Sequence, residues 1–519
     1  MRCVAGAGLW MLVGCNQIFG IHKTEPYDAR PDVIPDLPYV KLTWQVADVL
    51  PSGDPDPVLV DAPIDPAPHV RYSALGQPLQ DTTYSPADGA VIVAREFFTA
   101  MPDGGLPTWR LEYTLSGGVP HEVQWSPEDK HGQLTVPLFG RAARNPVPTG
   151  GGYAFTPDLA PASFQSPHIF TTGQWSEGVI PAYDPSNGAA IDYDFFNAAA
   201  MSGGRARPEP ALGDRAFLID YAFDGGCRHA IGSARLDSSA IQPGMHSVTP
   251  ATWDAATRPV SSQVVDLITK GRFLTALGTL HDNPNVPDVI SGTLSLGIAA
   301  NINMPPLTGV PPAAVLTTST DLPAPVMITV LQCPYDATSQ PKTAQPADLD
   351  RFSRLLNVQL VSKRQVLGVS LASGMETALA SPSSENFKLT FPAGIPTQIT
   401  LATPTNPALA LDGADEQLDI GPAAGPLTLA FVPDIVGDSA DYYDVTLYQL
   451  DASTLVAKRI YTVTAPQVAI DGAVLSAGVT YVFQIRSFKG HPDARSGDFR
   501  PVSFPYGSAI VFTRTFHTS

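Results

Sequence analysis

The chain has 519 residues and a formal net charge of −18, with 15% charged and 44% hydrophobic residues. That length suits three or four domains, and that apolar content builds real cores, which excludes a disordered chain. An acidic surface repels phosphate backbones and argues against a nucleic-acid partner.

The first fifteen residues read as an address. Arg2 supplies a positive charge, Val4 to Val13 an apolar run, and Gly14 a small residue before Cys15. Spanning a bilayer takes about twenty apolar residues, so this run is too short to cross one. Leu12-Val13-Gly14-Cys15 resembles a bacterial lipobox, and Cys15-Asn16-Gln17-Ile18-Phe19-Gly20 resembles the mature start of myxobacterial-type lipoproteins. The resemblance implies removal of residues 1–14 as a signal peptide and a membrane anchor through a lipid on Cys15. Asn16 stands where enteric inner-membrane lipoproteins carry Asp, so it also implies the outer membrane, with the protein facing periplasm or surface. An ordinary secretory signal with an incidental Cys15 is the alternative.

Residues 15–38 form a tether. Pro26, Pro31, Pro35 and Pro38 alternate with Glu25, Asp28, Asp32 and Asp36, a pattern that favours extended polyproline II. Residues 39–160 read as a β-sandwich-like module. Trp109, Leu111, Tyr113 and Leu115 alternate with Arg110, Glu112 and Thr114, which predicts one dry face and one wet face. The strand Leu42–Val46 is expected to join it.

Residues 161–214 are a connecting region rich in aromatics, Gly and Pro. A central β-rich domain is expected over residues 215–420, with strands at 217–223, 229–236, 264–268, 273–280, 290–302 and 326–331. Further strands are expected at 358–361, 366–371, 387–391 and 398–402. One helix is expected near Asp348, with Leu349, Phe352 and Leu356 on one face.

The last segment, residues 421–519, carries Leu427 to Pro433, Tyr443 to Tyr448, Arg459 to Val463 and Leu475 to Phe488. In that order these segments resemble a fibronectin type III domain. The resemblance implies a self-contained seven-stranded sandwich, with Tyr481 in the tyrosine-corner position. Its hydroxyl would bond backbone while its ring enters the core, and Phe431 stands where the family has tryptophan. The fold class expected for the whole chain is all-β, in several sandwich modules.

Of the four cysteines, Cys3 lies in the signal and Cys15 is the lipid site. Cys227 and Cys333 remain, without metal-ligand spacing, and in an oxidising compartment they are expected to form a disulfide. Free buried thiols are the alternative.

Catalytic motifs are not found. His121-Glu122-Val123-Gln124-Trp125 begins like a zinc-protease helix, yet it has Trp where the second histidine belongs and sits in an alternating strand. Gly368-Val369-Ser370-Leu371-Ala372 lacks the second glycine of a nucleophile elbow. Asp184, Asn187, Asp192 and Asp194 surround Ser186-Asn187-Gly188 and could hold Ca²⁺, or be ordinary solvated turns. Trp175, Tyr183 and Tyr193, with Asp192 and Asp194, could bind sugar rings by stacking and hydrogen bonding, or could brace a loop. The sequence therefore points to a non-catalytic envelope lipoprotein that binds protein or polysaccharide. A glycan-directed hydrolase with an accessory fibronectin-type module is the alternative.

Overall fold

The computed structural model describes residues 39–48, 58–64, 66–93, 108–115, 118–125 and 132–140, separate strands between 153 and 381, and 396–519 with short gaps. The chain is all-β, in several sheets arranged as sandwich modules. Among the described residues, no helix is long and apolar enough to cross a membrane.

The N-terminal strands are β1 (Tyr39–Asp48), β2 (Val58–Pro63), β3 (His69–Ala74), β4 (Gln80–Thr82), β5 (Tyr84–Ser85), β6 (Ala90–Ile92), β7 (Trp109–Thr114), β8 (His121–Trp125) and β9 (Gly132–Gly140). One sheet runs β2-β1-β6-β5, with β9 parallel to β1. A second runs β4-β3-β7-β8. Between them lies one apolar cluster, where Val40, Leu42 and Val91 meet Leu111, Tyr113 and Trp125. The expected strand around Trp44 does join this module.

The central strands are β10 (Tyr153–Phe155), β11 (Pro167–Thr171), β12 (Ser176–Val179), β13 (Ile191–Tyr193), β14 (Ala216–Asp224), β15 (Cys227–Leu236), β16 (Gly244–Met245), β17 (Trp253–Ala255) and β18 (Arg258–Pro259). They continue as β19 (Val289–Ala299), β20 (Ile328–Pro334), β21 (Thr343–Gln345), β22 (Ser353–Val366) and β23 (Val369–Ser381). The expected strands at 264–268, 273–280 and 387–391 lie outside the described residues. Two expectations are corrected. From Ser353 the chain is a strand, paired with β19 on one side and β23 on the other. Pairing on both edges satisfies its backbone groups and overrides the helical spacing that ends at Leu356. The strand expected over 366–371 is split by a hairpin turn at Leu367-Gly368, so that Val366 ends β22 and Val369 to Leu371 open β23. Leu367 and Gly368 take φ of 50° and 82°, the double positive φ that a two-residue hairpin loop requires.

The C-terminal strands are β24 (Pro396–Ala402), β25 (Leu409–Ala410), β26 (Leu418–Asp419), β27 (Pro426–Pro433), β28 (Tyr442–Asp451), β29 (Thr454–Val463), β30 (Gln467–Asp471), β31 (Thr480–Lys489), β32 (Tyr506–Phe512) and β33 (Phe516–His517). The sheet β25-β24-β27-β30 faces the run β29-β28-β31-β32, the strand order expected of a fibronectin type III-like sandwich. Phe431 meets Tyr443 edge to face at 4.9 Å, so a ring does fill the place of the family's tryptophan. Buried Tyr481 accepts the Ser476 N–H on its hydroxyl at 2.9 Å, as a tyrosine corner does.

This sandwich is not self-contained over residues 421–519. Its first strand, β24, comes from residues 396–402. Both edges of its larger sheet are also taken by other parts of the chain. Strand β8 adds to β29 in parallel, and β23 adds to β32 antiparallel. The result is one paired ribbon, β4-β3-β7-β8-β29-β28-β31-β32-β23-β22-β19-β20-β15-β14-β11-β12. Paired residues share a face. Pairing Tyr461 with Glu122 and Val463 with Gln124 therefore sets those four on the side that faces β30. Thr462 and Val123 lie on the opposite side, where Tyr442 and Phe488 enter the N-terminal apolar cluster.

Candidate functional site

The join between β8 and β29 concentrates the polar chemistry. Glu112 and Glu122 are directly opposite on neighbouring strands, an arrangement in which like charges repel. The face predicted to be wet is in fact covered, and the two carboxylates are 2% and 1% exposed. Each is held by arginines. Arg71 Nε donates to Glu112 Oε1 at 2.8 Å, and Arg459 donates to Glu112 Oε2. Arg459 Nη1 also reaches Glu122 Oε2 at 3.3 Å, and Arg110 pairs with Glu122 at 3.2 Å. Gln124 Nε2 donates to Glu122 Oε1 at 2.8 Å. Burial pushes the Glu122 carboxyl up, and Arg110 and Gln124 pull it back. With every oxygen engaged, this pair serves as a lock between modules and not as an acid and base for a substrate.

A second polar chain crosses the join on the opposite face. Thr462 donates to Asp444 Oδ1 at 2.5 Å, so its oxygen must accept from His121 Nε2 at 2.8 Å. His121 Nδ1 is then the acceptor for the Tyr113 hydroxyl at 2.7 Å. Burial lowers His121 to about 3 and raises Asp444 to about 6. The imidazole is neutral, with both nitrogens occupied, and it binds strand to strand.

Beside the lock, a cleft of about 440 Å³ opens between the two modules. Gln124, Trp125, Thr428, Thr464, Gln467 and Arg495 line it, together with Thr108 and apolar side chains. Arg495 is exposed, on a 3-10 turn at Ala494–Ser496. It also pulls against the burial that raises Tyr443 to about 12.

The residues singled out from sequence fall elsewhere. Cys227 and Cys333 are disulfide-bonded across β15 and β20, with Cα atoms 4.2 Å apart, the close spacing of a non-hydrogen-bonded cross-strand pair. Asp192 and Tyr193 lie in β13, opposite Ala154 and Tyr153. Cys15, Trp175, Tyr183, Asp184, Asn187 and Asp194 lie outside the described residues. Among the described residues, no three His, Cys, Asp or Glu groups gather to hold a metal ion. In β8, His121 and Glu122 point to opposite faces, so the protease-like string has no convergent pair. The lock residues escaped sequence reading because an alternating charge usually marks a solvated face. The available signal was Glu112 facing Glu122, a repulsion that calls for a cationic cover.

No protein family and no curated protein matches the chain. Among solved structures, it is similar to one titled as a Ca²⁺-stabilized adhesin that helps an Antarctic bacterium reach out and bind ice. That similarity has 14% identity and a TM-score of 0.15, and covers 92% of this chain and 98% of that one. It is also similar to the N-terminal four Ig domains of Dscam1 isoform 1.9, at 9% identity and a TM-score of 0.12, covering 93% and 97% of the two chains. At such scores neither likeness bears on function.

Proposed function

We propose that this chain is a non-catalytic lipoprotein of the bacterial cell envelope, anchored in the outer membrane through a lipid on Cys15. Its β-sandwich modules bind a surface protein or polysaccharide. The anchor rests on Arg2, the apolar run and Leu12-Val13-Gly14-Cys15, and the Pro/Asp-rich tether holds the modules away from the membrane. The binding role rests on one observation, the edge-to-edge pairing of β8 with β29. Strand pairing sets the orientation of one sandwich on the other, which suits a scaffold that presents a surface at fixed geometry. The carboxylates at that join are spent on arginines.

Membrane fractionation of the full chain and of Cys15→Ala tests the anchor. The variant is expected to stay unprocessed or be released, and unchanged membrane attachment would overturn this part. A glycan array and an envelope pull-down with the chain from Asn16 onward test binding. Retention without cleavage supports the reading, whereas release of new reducing ends from a glycan would replace it with a hydrolase.

A further inference from the structure

We propose that the cleft between β8 and β30 is a binding site for a carboxylate-bearing saccharide, a uronate unit, gripped by Arg495. The proposal rests on the binding role given above and names a site and a ligand class for it. Three observations carry it.

The first is size and place. A cleft of about 440 Å³ lies within the range of about 300–1,000 Å³ typical of small-ligand sites, and such sites favour domain junctions.

The second is the contrast between the lock and the cleft. In the lock, the arginines and carboxylates answer one another. At the cleft, the side chains of Thr428, Thr464, Gln467 and Arg495 make no hydrogen bond or ion pair with another described residue. Two hydroxyls, an amide and a guanidinium border one concavity. Hydroxyls and amides match the hydroxyls of a sugar ring, and a guanidinium matches a carboxylate in bidentate geometry. The net charge of −18 does not forbid this, because charges beyond a Debye length of about 8 Å are largely screened at physiological salt.

The third observation separates a sugar from a peptide. Among the described residues, strand β30 is an edge strand paired only with β27, and a peptide would ordinarily dock there by adding a strand. Gln124 already occupies that edge at Ala469, donating to its carbonyl and accepting its N–H. Backbone pairing is blocked at the floor of the cleft, so recognition falls to side chains.

The test is calorimetric titration of the chain from Asn16 onward with oligogalacturonate, and with a neutral oligosaccharide of equal length. Arg495→Gln and Thr464→Val are compared with Lys458→Gln, an exposed residue on β29, and with Trp175→Ala. The acidic oligomer is expected to bind, with affinity reduced about tenfold or more by Arg495→Gln, the scale of a charged hydrogen bond. Lys458→Gln should leave it unchanged. Equal affinity in wild type and Arg495→Gln overturns the site, as does a preference for the neutral oligomer. Loss only in Trp175→Ala also overturns this inference while leaving the binding role intact. Failure of wild type to retain any glycan or envelope protein would remove both.

Discussion

The side-chain amide of Gln124 pairs with the Ala469 peptide at both ends. Its Nε2 donates to the carbonyl at 2.7 Å, and its Oε1 accepts the N–H at 3.1 Å. A side chain from the N-terminal module thus completes the open edge of a strand in the C-terminal one. Unpaired edges invite association with other chains. Gln124→Met should leave two backbone groups without this partner, cost about 1–3 kcal/mol, and raise the tendency to self-associate. Urea denaturation and light scattering read the two effects, and an unchanged midpoint would contradict the pairing.

The lock makes a stronger claim. Arg459→Met removes the cation shared by Glu112 and Glu122. Because Arg71 and Arg110 still hold one carboxylate each, the cost should stay below the roughly 3–5 kcal/mol of a fully broken buried ion pair. An isolated piece spanning residues 421–519 strips Arg459 of both partners, omits β24 and uncovers Tyr442 and Phe488. It should therefore melt broadly, while the whole chain melts cooperatively over its C-terminal strands. A sharp calorimetric transition for the isolated piece would refute this.

Acid should weaken the fold. His121 and His491 are held near 3 and 4 in the folded chain, below the ordinary value of about 6.5. The unfolded chain then binds more protons, so their contribution is complete above about pH 6.5 and is lost as pH falls toward the folded values. Asp444, raised to about 6, acts in the opposite sense. It favours the folded state below its ordinary value, and that advantage disappears as pH rises through 6. Between pH 7 and 5 these three groups sum to a loss of about 2 kcal/mol. His491→Asn keeps a donor for the Phe499 carbonyl and should flatten the acid slope. Asp444→Asn should steepen it. Thermal melts across pH 4–8 decide both.

Tyr481 offers a test of the corner. Tyr481→Phe removes only the hydroxyl that accepts the Ser476 N–H, and should cost about 1–2 kcal/mol. Tyr481→Ala also empties a fully buried ring site and should cost about 3–5 kcal/mol. Equal effects would mean that the hydroxyl does nothing.

The Cys227–Cys333 bridge closes a span of 106 residues. In the chain-entropy picture that stabilises the fold by about 4–5 kcal/mol. Non-reducing peptide mapping should recover the linked pair. The double Cys→Ser variant should unfold at lower urea, and an identical midpoint would show that the bridge does not constrain the chain.

Sequence alone determined the all-β class, the two cysteines left to pair, and Tyr481 as a buried corner. The first two follow from period-two alternation and from cysteine number, and the third is what the resemblance to a fibronectin type III domain implied. Tertiary structure decided which faces are wet. Arg110, Glu112 and Glu122 alternate as solvent-facing residues do, yet Arg459 lies 337 positions beyond Glu122 and arrives to bury it. It likewise decided that β24 opens the C-terminal sandwich and that β8 closes an edge of it. A strand's own residues specify its alternation, but its edge hydrogen bonds are backbone groups common to every sequence. Which strand meets which edge is therefore set only when the whole chain has folded.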